Sequence, residues 1–278
     1  MKKTDVYPSP PSMAPLGNGG IMKCFLTSGC SRMLDYAWVV GFAFLVAGFV
    51  KGVAGMGLPP VAIGLMAVAV PPVQAAALVV VPSLVSNVWQ MCVGPGLGLA
   101  YKRFAGLLAA LCLGVVFGIG VLTGGAVSLA SLLLGVVLLV YALLGLLKFH
   151  MHVSNRRERW ASPLVGLLTG FVTGATGVSS VPSAPYMNSL NMSKEALLQA
   201  LGLVFTVGTF ALAVGLYVKG RFELKAATES TLCLVPTLLG VIAGQRFRAR
   251  LSPEHFKKVF FWSLFALGAY MVVRALFF

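Results

Sequence analysis

Lys51 is a lone cation within an apolar run, and it sits inside a segment rich in the two residues that break helices. Residues 48–60 read GFVKGVAGMGLPP. An ammonium group buried at membrane depth is costly and by default marks function, unless its long stem lets it snorkel to a surface. The pattern returns without a gap as GFVTGATGVSSVP over 170–182, where Gly48, Phe49, Val50, Gly52, Gly55 and Pro60 are matched by Gly170, Phe171, Val172, Gly174, Gly177 and Pro182. Thr173 stands where Lys51 stood, so the repeated scaffold itself does not need the charge.

A helix that stops inside a bilayer and restarts presents free N–H groups and the positive end of its dipole. That suits an anion. Gly52, Gly55 and Gly57 in the first copy, and Gly174 and Gly177 in the second, are the candidate breaks. Thr173, Thr176, Ser179, Ser180 and Ser183 add hydroxyls able to donate to oxyanion oxygens. Non-helical backbone survives at that depth only when it is buried in protein or lines a cavity, so both copies should face inward. Matching interrupted segments in two halves of a membrane chain point to a transport site.

A second group of polar residues follows each break. Ser83, Ser86, Asn87 and Gln90 fall on one helical stripe by their spacing, beside Pro82, and Gln199, Thr206 and Thr209 occupy the corresponding stretch later. Such a stripe serves either as a substrate wall or as glue between helices. Gly166, Gly170 and Gly174, spaced by four, fit close helix packing as well as a break, and Gly114/Gly118 with their echo Gly240/Gly244 are read as packing positions.

The absences narrow the chemistry. All seven carboxylates and all three histidines fall in the tail, in loops or near span ends. Proton and cation carriers usually place such groups within their spans. No zinc motif, serine elbow or dinucleotide fingerprint is present, so no enzyme activity, no metal site and no cofactor are expected. The five cysteines have no ligand spacing and read as small apolar side chains.

The elements that must position these residues are transmembrane. The chain has 278 residues, of which 58% are hydrophobic and only 10% charged, against about 25% charged in soluble domains. Its net charge of +14 comes from short basic clusters between apolar runs, which anchor helices and do not form a nucleic-acid face. The expected fold is all-α: a polytopic bundle of about eight spans, near 36–58, 73–95, 104–123, 127–148, 161–181, 196–218, 228–246 and 257–278. Two four-helix units with broken first helices would make it up. The boundaries are a disordered cytoplasmic tail over 1–33, a first repeat over 34–148, a basic linker over 149–160 and a second repeat over 161–278.

Four spans per half give parallel halves. A cytoplasmic N-terminus then places fourteen basic residues inside and six outside, so both termini are expected in the cytoplasm of an inner-membrane protein. The apolar run 36–70 is too long for one crossing, about 52 Å as a helix against a core of about 30 Å. Re-entry there, repeated in the second half, would make the halves inverted, and the sequence leaves both arrangements open.

The motif GFVKGVAGMG with its following prolines, its copy GFVTGATGVSSVP, and GVIAGQRFRARLSPEHFKKVFF near the C-terminus resemble the TauE/SafE family of sulfite and organosulfonate exporters. The resemblance covers most of 36–278 and implies a permease that moves a small, often sulfur-containing anion out of the cell. The expected partners are that anion and the lipid bilayer, with no nucleic acid; a homodimer is left open. Two other readings stand beside this one: a membrane scaffold that transports nothing, and an importer of a similar anion.

Overall fold

The computed structural model describes residues 30–67, 69–94, 96–125, 127–147, 155–248 and 252–277, and every regular element among them is a helix. Met1–Trp38 and Val39–Phe278 are separate compact units. The expected tail, 1–33, lies outside the described residues except for 30–33, and so does half of the expected linker, 149–154.

The helices are α1 (Cys30–Ala54), α2 (Leu58–Met66), α3 (Pro72–Cys92), α4 (Leu97–Thr123) and α5 (Val127–Leu146), then α6 (Asn155–Thr176), α7 (Ser183–Ser189), α8 (Lys194–Val218), α9 (Leu224–Leu232), α10 (Leu234–Arg248) and α11 (Pro253–Phe277). Seven stretches among the described residues are long and apolar enough to span a membrane: Ala37–Ala54, Pro72–Cys92, Leu97–Thr123, Val127–Leu146, Lys194–Val218, Leu224–Arg248 and Glu254–Phe277. The chain is a polytopic helical bundle. The remaining expected span, 161–181, corresponds to α6, which falls short because threonine and glycine dilute its apolar residues and charges crowd its first turn.

Each half follows the same order: a long helix, a break, a short buried helix, then long helices. Gly55 (φ 76°) and Gly57 (φ 99°) stop α1 in a conformation that side chains with a Cβ disfavour, and Pro59 and Pro60 start α2. In the second half Gly177 (φ 79°) ends α6, and 178–182 run without helix to α7. Leu58, Ala62, Ile63 and Met66 of α2 are fully buried.

The long helices meet through glycines. A Cβ at Gly48 or Gly52 would strike the backbone of Thr237 or Val241 on α10, and one at Gly240 or Gly244 the backbone of Leu45 or Phe49 on α1. In the same way Gly166, Gly170 and Gly174 on α6 abut Leu107, Leu111 and Val115 on α4, while Gly114 and Gly118 abut Leu167 and Phe171. Gly114/Gly118 thus meet the glycines of the second break segment and Gly240/Gly244 those of the first, and each first helix packs on a helix of the opposite half. Close backbone approach of this kind replaces the hydrophobic drive that lipid cannot supply.

These contacts also fix directions. Along α1 and α10 the numbers rise together, as they do along α4 and α6. The α3 helix runs with α9 and α10: Ser230 bonds Leu78 and Val81, and Trp89 and Val93 share a cavity with Leu238 to Arg248. By contrast α5 and α11 run antiparallel, with Gly135 against Gly268, Gly145 against Phe261, and Val127 near Arg274. The short α2 lies alongside α11, Gly57 at Phe260 and Gly64 at Leu267, and so runs back against α1. Counting the short α2 and α7, and α9 with α10 as one span, each half has five successive segments where four spans were expected, and α5 and α11, which hold matching places, point in opposite directions. This is the arrangement that re-entry of 36–70 would produce.

Pro82 inside α3 leaves the carbonyl of Leu78 without its helical donor. Ser230 of α9 fills the gap: its hydroxyl donates to Leu78 O at 2.7 Å and accepts from Val81 N at 3.0 Å. In lipid an unpaired carbonyl has no water to turn to, so this cross-half bond makes the kink tolerable.

Candidate functional site

Lys51 lies on the last turn of α1 and is 7% exposed. Its Nζ donates to Oδ1 of Asn87 on α3, which is 1% exposed. Asn87 Nδ2 is buried without a partner, and so is Ser83 Oγ one turn earlier on the same helix. Buried polar groups are nearly always paired, and an orphan donor beside an ammonium calls for an explanation. Here both orphans and the cation belong to one cluster at the end of the break.

A cavity of about 490 Å³ lies over this cluster, between α1, α3 and α10. Lys51, Gly52 and Gly55 line its buried side; Ser86, Trp89 and Gln90 come from α3; Gln245 and Arg248 from α10. It holds two cations and no carboxylate. The pocket is therefore electropositive, mostly apolar, and furnished with a few amide and hydroxyl donors. Proteins hold small oxyanions with such groups.

The sequence-predicted residues divide into several groups. Lys51, Gly52, Gly55 and Gln90 line the cavity, with Asn87 and Ser83 bonded to it or next to it. Gly52 also forms the α1–α10 crossing, so it is a packing residue and a wall residue at once. Gly57 caps α2 and faces Phe260, away from the cavity. Gln90 Nε2 donates to Leu198 O at 2.9 Å, a tie to α8.

The second copy does not reach this cavity. Thr173 and Thr176 are buried, and their hydroxyls donate at 2.7 Å to the carbonyls of Thr169 and Val172, four residues back. Gly174 serves the α6–α4 crossing. Gly177 leaves helix against Ile63 and Ala76. Ser179 and Ser180 are 2% exposed in the non-helical 178–182, Ser179 against Gly208 of α8. They lie at the break of the other half, and no bond joins them to Lys51.

Gln199 is glue: it donates to Met91 O at 3.0 Å and Gly94 O at 2.9 Å and accepts from Gly96 N at 3.0 Å, holding the α3–α4 turn. Thr206 and Thr209 bond back into α8 at 2.7 and 2.8 Å. Arg248, Gln245 and Trp89 were missed. Only one signal could have found the first two: Gln245 directly follows Gly244, which packs on Gly52.

The family described as Sulfite exporter TauE/SafE matches residues 40–271. The chain is 27% identical over 241 residues to a protein of Cupriavidus necator named "Probable sulfite/organosulfonate exporter TauE", covering 84% of this chain and 93% of that protein. No solved structure matches it. With the match running from α1 to α11, across both breaks and the lysine cavity, the chain belongs to the TauE/SafE family of sulfite exporters.

Proposed function

We propose that the protein is an inner-membrane permease that exports a small oxyanion, sulfite or an organosulfonate, by alternating access. The observation that carries this reading is the Lys51–Asn87 pair, buried at a helix break, with two orphan polar groups beside it and an electropositive cavity above. A buried cation with unsatisfied donors is stabilised by an anion arriving at it, whereas a purely structural site would have satisfied those donors internally. The family and the Cupriavidus relative support the cargo class.

The two halves, descended from one duplicated unit, supply the moving parts. Equivalent helices that run in opposite directions make an inverted repeat, and rocking one such unit against the other exposes a central site to each side in turn. The serine and threonine break of the second half, 173–180, would complete the anion's coordination in the state of opposite access.

Purified protein in liposomes loaded with labelled sulfite, a small alkanesulfonate or sulfate tests the reading. Saturable efflux of at least one anion above empty liposomes is expected. No flux of any of them would favour a non-transporting scaffold. Whether cells lacking the protein lose uptake or lose efflux separates importer from exporter.

A further inference from the structure

The helix directions sort the ends of the bundle into two faces. One face, here called the linker face because the end of α5 and the start of α6 both lie on it, carries the ends of α1, α3, α5 and α10 and the starts of α4, α6, α8 and α11. Gly94 and Gly96 against Gln199, Gly145 against Phe261, and Phe49 against both Phe247 and Phe256 tie this face together. The other face carries the starts of α3, α5 and α9 and the ends of α8 and α11: the segment 67–72 meets Val127 and Arg274 there, and Val73 and Gln74 meet Gly220 and Arg221.

Basic residues are distributed unevenly between these faces. The linker face takes Lys102 and Arg103, Arg157 and Arg159, Arg246 and Arg248, and Lys257 with Lys258. The opposite face takes Lys219, Arg221, Lys225 and Arg274 around its helix ends. Under a four-span reading the clusters near 103 and 156 shared a side with 219–225, while 246–258 stood as an exception outside. The observed directions remove that exception. They put 246–248 and 257–258 with the start of α6, and 219–225 across the membrane. Lys and Arg in short loops mark the cytoplasmic side.

The cavity ends on the linker face. Lys51 forms its buried floor, and Arg248 and Gln245, both exposed, stand at its mouth where α10 finishes. Trp89, 70% exposed, borders it.

We propose that this cleft is the cytoplasmic entrance of the anion path, with Arg248 capturing the anion at the mouth and Lys51 receiving it at the floor, and that the chain inserts with the α5–α6 linker inside and the end of α11 outside. The inference rests on the transport reading for the word anion, and its insertion claim stands apart from it. A two-cation path explains why an exporter would leave an exposed arginine at one end of an otherwise apolar cleft: steering toward a positive cleft raises the on-rate of small anions. The structure then represents the loading state.

Two measurements decide it. Alkaline phosphatase and green fluorescent protein are fused in parallel after Phe278 and inserted in parallel at His152. Phosphatase activity at least tenfold higher after Phe278 than at His152, with fluorescence in the reverse order, is expected. The opposite ranking of both reporters overturns the insertion. Separately, Gln245→Cys in a cysteine-free variant is treated with a membrane-impermeant maleimide. Labelling at least tenfold stronger in inside-out vesicles than in intact cells, and slowed several-fold by a millimolar alkanesulfonate, is expected. Strong labelling from intact cells, or no labelling from either side, overturns the entrance. If the cysteine-free protein does not accumulate, Gln245→Cys in the unaltered background, with that background's own labelling subtracted, reads the same contrast. A protein that passes the fusion test but moves no anion in liposomes would leave the insertion standing and remove the transport reading.

Discussion

The ammonium of Lys51 at the end of α1 donates to the carboxamide oxygen of Asn87 on α3, and the amide nitrogen of the same Asn87 is left without an acceptor. The asparagine is thus half satisfied: it fixes the cation and keeps a donor free. Replacing it by leucine removes both functions and leaves a buried lysine with no oxygen to bond. Asn87→Leu should weaken anion transport at least tenfold and lower stability by about 3 kcal/mol, the cost of leaving a buried charged donor without its acceptor. Asn87→Gln keeps both groups and should retain more activity than Asn87→Leu. Flux per unit of folded protein, with folding checked by gel filtration in detergent, measures this; equal flux in the two variants would count against the assignment.

Glycines on one helix should differ sharply in tolerance. At Gly118 an added Cβ meets the backbone of Phe171, whereas at Gly120 nothing lies within 4 Å. Gly118→Ala should destabilise by about 1–3 kcal/mol through overpacking of the α4–α6 crossing. Gly120→Ala should be neutral or stabilise by up to about 1 kcal/mol through helix propensity. Thermal melts of the two variants in detergent read the contrast.

The two breaks predict a similar asymmetry. Gly55 and Gly177 share a positive φ, 76° and 79°, so alanine at either costs about 1 kcal/mol of backbone strain. At Gly177 the new methyl also meets Ile63 at 2.7 Å and Ala76 at 3.0 Å in the core, while at Gly55 it meets the end of the Leu198 side chain. Gly177→Ala should therefore lower the melting temperature more than Gly55→Ala, and Gly55→Ala, at the cavity wall, should affect transport more than stability. A larger loss of stability at Gly55 would place the tighter packing at the wrong break.

How much of this was legible follows from what a sequence pattern can carry. The recurrence of Gly48, Gly52 and Gly55 as Gly170, Gly174 and Gly177 showed two matching breaks, and the structure has helix stops at Gly55 and Gly177. The spacing of Gly114/Gly118 and Gly240/Gly244 showed close packing, which the crossings bear out, but periodicity names a face and not its partner. That Gly114/Gly118 meet Gly170/Gly174, and Gly240/Gly244 meet Gly48/Gly52, is a fact about the third dimension.

Lys51 and Asn87 were each singled out for their polarity in apolar surroundings, yet their bond spans 36 positions and had no local signature. The sequence left open whether 36–70 was one broken span or a re-entrant pair; a count of eight spans omits both α2 and α7, so it reverses α3 to α6 and regains the observed directions from α8 onward. Arg248 looked like an ordinary anchor because only the α1–α10 crossing brings it to the cavity.

The central claim is that the anion path passes Lys51, and the most direct measurement is efflux of labelled sulfite from proteoliposomes by Lys51→Met and the unaltered protein side by side. Methionine keeps the length and apolar contacts of the stem and removes the ammonium; losing a buried charge offsets the unpaired Asn87 oxygen, so the fold should persist with a melting temperature close to that of the unaltered protein. The account predicts at least a tenfold loss of flux in Lys51→Met, partly restored in Lys51→Arg. Undiminished sulfite efflux by a well-folded Lys51→Met protein would contradict it.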